Sequence, residues 1–377
     1  MKLWASILIG GISLCILGGL FALMNSPRAI VITGRDIEAT HSTTSALQVA
    51  SEQASTTTLP QLNAPAYDAK LLQIANLTTI PHIRTIRATS STPSSTITTY
   101  TTLPAGWPVK AAYPKAGALL PQNRIVAYYG NLYSTAMGVL GEYPEAKVLE
   151  MLASTTREWA AADPTTPVIP ALDYIVIAAQ ASPGADGMYR ARMPASEVAK
   201  VVAMAAKAGT STIVVLDVQV GLSTVQKELP LLAPYLKLPQ VHLALDPEFS
   251  MKDGAKPGTE IGTMDASDIN YAANFLADLV QKNNLPPKIL IVHRFTEAML
   301  TNYRQIAPLP EVQIIMDMDG FGGPAKKMGT YRQVVIPEPI QFTGFKLFYK
   351  NDVLAGHLMT PAEVLKLSPQ PSFIQYQ

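Results

Sequence analysis

The stretch Val241-His242-Leu243-Ala244-Leu245-Asp246-Pro247-Glu248-Phe249 begins as an apolar strand and ends in two carboxylates one residue apart. Side chains alternate faces along a strand, so His242, Ala244, Asp246 and Glu248 are expected on one side and Val241, Leu243, Leu245 and Pro247 on the other. Three further runs end in the same way: Thr212-Ile213-Val214-Val215-Leu216-Asp217-Val218-Gln219, Ile289-Leu290-Ile291-Val292-His293-Arg294-Phe295 and Val312-Gln313-Ile314-Ile315-Met316-Asp317-Met318-Asp319. Short, nearly continuous apolar runs are the mark of strands buried on both faces in a parallel sheet. Their polar groups gather at the C-terminal ends.

Working outward, the same pattern gives eight strands: Ile125 to Gly130, Ile169 to Ala179, Thr212 to Gln219, Val241 to Glu248, Lys288 to Phe295, Val312 to Asp319, Gly344 to Tyr349 and Phe373 to Tyr376. Helical stretches are expected between them over Ala146 to Ala162, Ala195 to Ala208, Thr224 to Tyr235, Ala266 to Asn283, Ala298 to Ala307 and Pro361 to Lys366. Ser196 and Ser267 stand near N-terminal caps, and Pro361 follows Thr360. Eight strands over residues 104–377 predict an α/β fold, a (β/α)8 barrel of the TIM-like kind, whose usual size is about 250 residues. An open doubly wound sheet is the alternative, but Tyr128-Tyr129-Gly130-Asn131 is not the glycine-rich first turn that such folds use.

The 377 residues carry a formal net charge of +1, without the basic excess that phosphate binding demands, which argues against nucleic acid as a partner. Leu3 to Met24 is an uncharged apolar run of roughly 20 residues, long enough to cross a bilayer as a helix. Residues 1–25 are therefore expected to form an N-terminal transmembrane anchor, with a cleaved signal as the alternative. The domain is placed outside the cytoplasm, anchored or secreted. Cys15, the single cysteine, lies in that run after the large Leu14, an unsuitable neighbour for lipidation; the rest of the chain has no cysteine to form a disulfide. Residues 26–103 are rich in Ser and Thr and read as a disordered stalk. Tyr67 to Arg87 is less polar, with a short helix expected around Ala69 to Leu77 that could dock on the domain.

In a (β/α)8 barrel the active site forms at the C-terminal strand ends. Facing the polar ends inward brings Asp217, Asp246, Glu248 and Asp317 together as the catalytic set. Tyr129, Gln219, His293, Asp319, Lys346, Tyr349 and Gln375 are the expected substrate contacts. Crowded carboxylates raise one another's proton affinity, which suits Glu248 to act as general acid, with Asp246 beneath it. The five histidines form neither His-x-His nor HExxH, so no metal site and no cofactor is expected. Gly320-Phe321-Gly322-Gly323-Pro324 lacks Walker spacing and reads as a tight loop, and Ser250 has no nucleophile-elbow setting.

The Asp-x-Glu at the end of the fourth strand resembles that of family 18 chitinase-like and family 25 lysozyme-like glycoside hydrolases. For the former, the resemblance implies that Asp246 positions a 2-acetamido group as internal nucleophile. The chitinase-like aspartates upstream are here Ala244 and Val241, and the early aspartate of the lysozyme-like proteins is here Tyr128 or Tyr129. Tyr128-Tyr129-Gly130, Met137 to Glu142, Leu245 to Glu248, His293-Arg294-Phe295, Asp319 to Gly322, Gly344 to Tyr349 and Leu358 to Pro361 are also similar to a set of uncharacterised secreted or anchored bacterial barrel proteins regarded as glycosidase-like by fold. Together these imply a glycoside hydrolase acting on a cell-envelope or extracellular polysaccharide. The competing expectation is a non-catalytic glycan-binding or scaffold domain on the same barrel.

Overall fold

The computed structural model describes residues 59–86 and 95–377. All eight expected strands form: β1 (Arg124–Gly130), β2 (Val168–Ala179), β3 (Ile213–Val218), β4 (Val241–Leu245), β5 (Lys288–Arg294), β6 (Val312–Met318), β7 (Phe342–Leu347) and β8 (Phe373–Tyr376). Each pairs in parallel with its neighbours in chain order, and β8 returns to β1, so the sheet closes into an eight-stranded barrel. A short strand, Arg190–Arg192, adds antiparallel to the end of β2.

Closure separates two apolar regions. Inside, Ile125, Ile169, Ile213, Ile289, Ile291, Ile315, Phe342 and Phe373 fill the lower barrel, with the small Ala127, Ala171 and Ala244 between them. Alternating large and small side chains lets opposing strands interdigitate at interior density. Outside, the other strand faces pack on the helices. Glu145–Ala162 turns Val148, Leu152, Thr155 and Trp159 inward at helical spacing, and the buried Trp159 indole donates to the Tyr376 hydroxyl at 2.9 Å. Ala266–Asn283 starts with a capping box between Asp265 and Asp268 and ends at Asn284 in the left-handed region.

The helix expected over Ala298 to Ala307 does not form. Leu300–Thr301 instead pairs with Met264–Asp265, and the side chains of Thr301 and Asn302 donate to Asp265 Oδ2 at 2.7 and 2.6 Å. These bonds to a residue far away in sequence, with the short strand pairing, hold the backbone extended where a helix would need it coiled. Only single 3-10 turns flank the segment, at Glu297–Met299 and Tyr303–Gln305.

The span read as stalk holds ordered elements from residue 59 onward. Helix Ala64–Ala75 begins a turn earlier than expected, because Asn63 caps Ala66 N with its side chain at 3.1 Å. It docks across the N-terminal end of the barrel: Lys70 Nζ donates to Thr166 Oγ1 at 2.6 Å, Gln370 N to Ile74 O at 2.7 Å, and Asn76 Nδ2 to Leu367 O at 3.0 Å. Ile74 and Leu71 join the inner apolar cluster. Beyond it, Thr78–Ile86 and Ser95–Leu103 pair as an antiparallel hairpin. The apolar run Leu3 to Met24 and the stalk up to residue 58 lie outside the described residues, and among the described ones no helix is long and apolar enough to cross a membrane.

Candidate active site

Above the apolar floor the barrel interior becomes polar within one residue pair of each strand. Tyr129 of β1 lies in register with Asp173 of β2, His293 of β5 with Asp317 of β6, and Lys346 of β7 with Gln375 of β8. The backbone ladders thus place these side chains at the upper rim of one closed cylinder.

At the centre stands His293. Its Nε2 lies 2.8 Å from Asp217 Oδ2 and its Nδ1 3.1 Å from Asp317 Oδ2, with Asp319 Oδ2 at 3.6 Å. Burial alone would discharge the ring, but its hydrogen bonds to Asp217 and Asp317 outweigh that and hold the imidazole proton affinity well above normal. Lys346 follows the same logic: burial opposes its charge, yet Asp319 Oδ1 at 3.1 Å and the surrounding acids raise its pKa. Its ammonium also sits 3.8 Å from the Tyr129 ring centroid, a cation-π contact. Gln219 donates to Asp246 Oδ2 at 3.2 Å and to the Tyr129 hydroxyl at 3.3 Å, while its Oε1 accepts from Ala179 N.

Asp246 and Glu248 do not alternate on a continuing strand as expected. β4 ends at Leu245, and Pro247–Phe249 is a 3-10 turn whose N-cap is Asp246; its Oδ1 accepts from Glu248 N at 3.1 Å. Proline at the first position of the turn removes a ladder donor, which is why the strand stops there. Asp246 therefore orients Glu248 through the backbone. The turn is clamped on both sides, with Gly221 N donating to Phe249 O at 2.9 Å and Gly262 N to Glu248 O at 2.7 Å. Gly262 packs so closely that a Cβ there would stand 2.7 Å from the backbone oxygens of Pro247 and Glu248.

Burial pushes Glu248 up to about 8, reinforced by Asp246 and Asp319. Burial followed by Asp217 raises Asp246 to about 7. Asp173 and Asp317 are also raised, again first by burial. Of the six interior carboxyls, only Glu248 is partly open to solvent; Asp173, Asp217, Asp246, Asp317 and Asp319 are buried.

The expected set is thus brought together with one exception. Tyr349 leaves the interior: it stacks on Tyr376 with centroids 5.2 Å apart and bonds the Tyr128 hydroxyl at 3.0 Å in the outer layer. Alternation itself puts it there: Lys346 faces inward, so Leu347 and Tyr349 fall on the outer side with Phe345. His242 is also remote from the rim, accepting from Ile289 N at 3.0 Å near the barrel floor, where burial keeps its pKa low. Asp173 was missed. It lies mid-strand in an otherwise apolar run, and that lone charge was the available signal.

No family model matches the chain, and no curated protein does. Among solved structures, an arginine-to-lysine mutant of flavocytochrome b2 aligns over 89% of this chain and 73% of its own, at 10% identity and a TM-score of 0.30. At that score the similarity carries no argument about function.

Proposed function

We propose that the protein is a glycoside hydrolase-like enzyme with Glu248 as general acid, acting outside the cytoplasm on a polysaccharide of the cell envelope or its surroundings. The observation that carries this reading is that Glu248, the most exposed carboxyl of the rim, stands beside Asp246 and Asp319 in a setting where burial and those acids push it up to about 8. Protonating a glycosidic oxygen requires a carboxylic acid that is still protonated at working pH and can touch substrate. The complementary need is an ionised carboxylate for the positive charge of the transition state. Asp319, ion-paired with Lys346 and next to the His293 ring, supports that role. Asp217 and Asp317 have no exposed surface and act by holding His293.

The test is hydrolysis of a glycan panel, including 2-acetamido polymers, by the full chain and by Glu248→Gln. Release of sugar by the wild type and its loss in the variant supports the reading; equal turnover by both overturns it. A second reading, glycan binding without hydrolysis, is favoured by the near-complete burial of Asp246 and Lys346. It requires saturable binding with no product formed.

A further inference from the structure

Beneath the rim, four buried oxygens have no hydrogen-bond partner: Asp173 Oδ1, Asp217 Oδ1, Asp317 Oδ1 and Gln375 Oε1. All four residues are fully buried. Gln375 is the informative one, since it is uncharged and its own amide nitrogen is committed to Asp173 Oδ2 at 2.6 Å, leaving Oε1 as an unused acceptor beside the acids. Buried acceptors without donors are costly, of order 1–3 kcal/mol each, and several at one place call for a shared partner. Six carboxyls share this interior with His293 and Lys346, and Asp217, Asp317 and Asp319 already bond those two cations. A donor that supplies positive charge to several oxygens at once would be that shared partner.

We propose that the barrel centre binds one divalent cation of the Zn²⁺ or Mn²⁺ class through Asp173, Asp217 and His293, with Gln375 Oε1 as a further oxygen donor. One ligand atom from each of the first three lies within 4.8 Å of the others. His293 Nε2 and Asp217 Oδ2 are joined by a hydrogen bond of 2.8 Å, and an ion would take the place of the proton they share, moving the two atoms apart to the roughly 3.4 Å edge of a tetrahedral site. Imidazole with carboxylates suits zinc, manganese or iron better than calcium or magnesium. His293 presents Nε2 to the ion, and its Nδ1–H donates to Asp317 Oδ2, the carboxylate–histidine arrangement that fixes the ring of a metal-binding histidine. Gly344 leaves room for that partner, because a Cβ there would collide with Asp317 Oδ1. The reading does not depend on Glu248 and reverses the expectation drawn from histidine spacing, since the donors are brought together only by barrel closure.

The experiment compares the full chain, Asp173→Asn, His293→Gln and Glu248→Gln, each produced in medium supplemented with Zn²⁺ or Mn²⁺ and dialysed without chelator. Bound metal and the melting shift on adding each ion are then read. The wild type and Glu248→Gln are expected to retain about one equivalent and melt higher with the ion. Asp173→Asn and His293→Gln are expected to bind at least tenfold more weakly. Should either fail to fold, Gln375→Leu supplies the same comparison with a neutral ligand removed. Absence of retained metal and of any melting shift in the wild type overturns the site, and so does binding of equal strength in the ligand variants. If metal binding fails while Glu248→Gln still abolishes sugar release, only this inference falls.

Discussion

Glu248 shows how one residue acquires chemistry from its surroundings. An ordinary glutamate loses its proton near 4.3, whereas burial first, and then the nearby Asp246 and Asp319, push this one up to about 8. Glu248→Gln preserves size and hydrogen bonding but cannot transfer the proton, so turnover is expected to fall by roughly 10²-fold or more with binding intact; steady-state kinetics on a cleaved glycan checks this. The acid must be protonated, so the rate is expected to fall as pH rises through about 8, and the alkaline limb of the pH–rate profile should report that titration. Stability follows the same proton. Between the unfolded pKa and about 8 the folded chain holds a proton that the unfolded chain has released, so rising pH in that window destabilises the fold. Glu248→Gln is expected to be indistinguishable from wild type near pH 4 and more stable near pH 8, as denaturant melts at both values would show.

At the scale of elements, the catalytic turn depends on its clamps. Gly262→Ala would place a methyl group against the backbone of Pro247 and Glu248, so the loop must shift and carry Glu248 with it. Turnover is expected to drop while the barrel still melts cooperatively, a combination visible by kinetics alongside circular dichroism. At the opposite end, helix Ala64–Ala75 closes the barrel floor with Ile74 and Leu71. Ile74→Ala is expected to cost about 2 kcal/mol or more, measurable as a lower denaturation midpoint. The docking of this helix was partly legible in the sequence, where Tyr67 to Arg87 is less polar than its surroundings. The missing helix over Ala298 to Ala307 was not, because Asp265, which captures Thr301 and Asn302, lies more than 30 residues away.

For the whole molecule, the proposed outward-facing tether rests on the apolar run Leu3 to Met24, which is long enough to cross a bilayer as a helix. Protease treatment of intact cells is expected to release the domain; protection until lysis would overturn that placement. The polar rim and apolar floor also imply different tolerances. Substitutions among Ile125, Ile289 and Ile315 should act on stability, and those among Asp246, Glu248 and Asp319 on function.

The amino-acid sequence by itself determined the eight strands and their polar C-terminal ends, and favoured a barrel over an open doubly wound sheet, because apolar patterning and burial on both faces are properties each segment carries within it. It also marked Asp246, Glu248, His293 and Lys346 as rim residues. Only the tertiary structure decided what these groups do. His293 meets Asp217 across 76 positions and Gln375 meets Asp173 across 202, contacts set by barrel closure and register rather than by any local pattern. Which acids keep their protons depends on burial and on charges contributed by other strands, and the sequence around a carboxylate contains neither. The turn at Pro247 arises where the strand stops, whereas Asp173 enters the polar core by alternation with Ile169 and Ala171 along β2, and Tyr349 lies outside by alternation from Lys346.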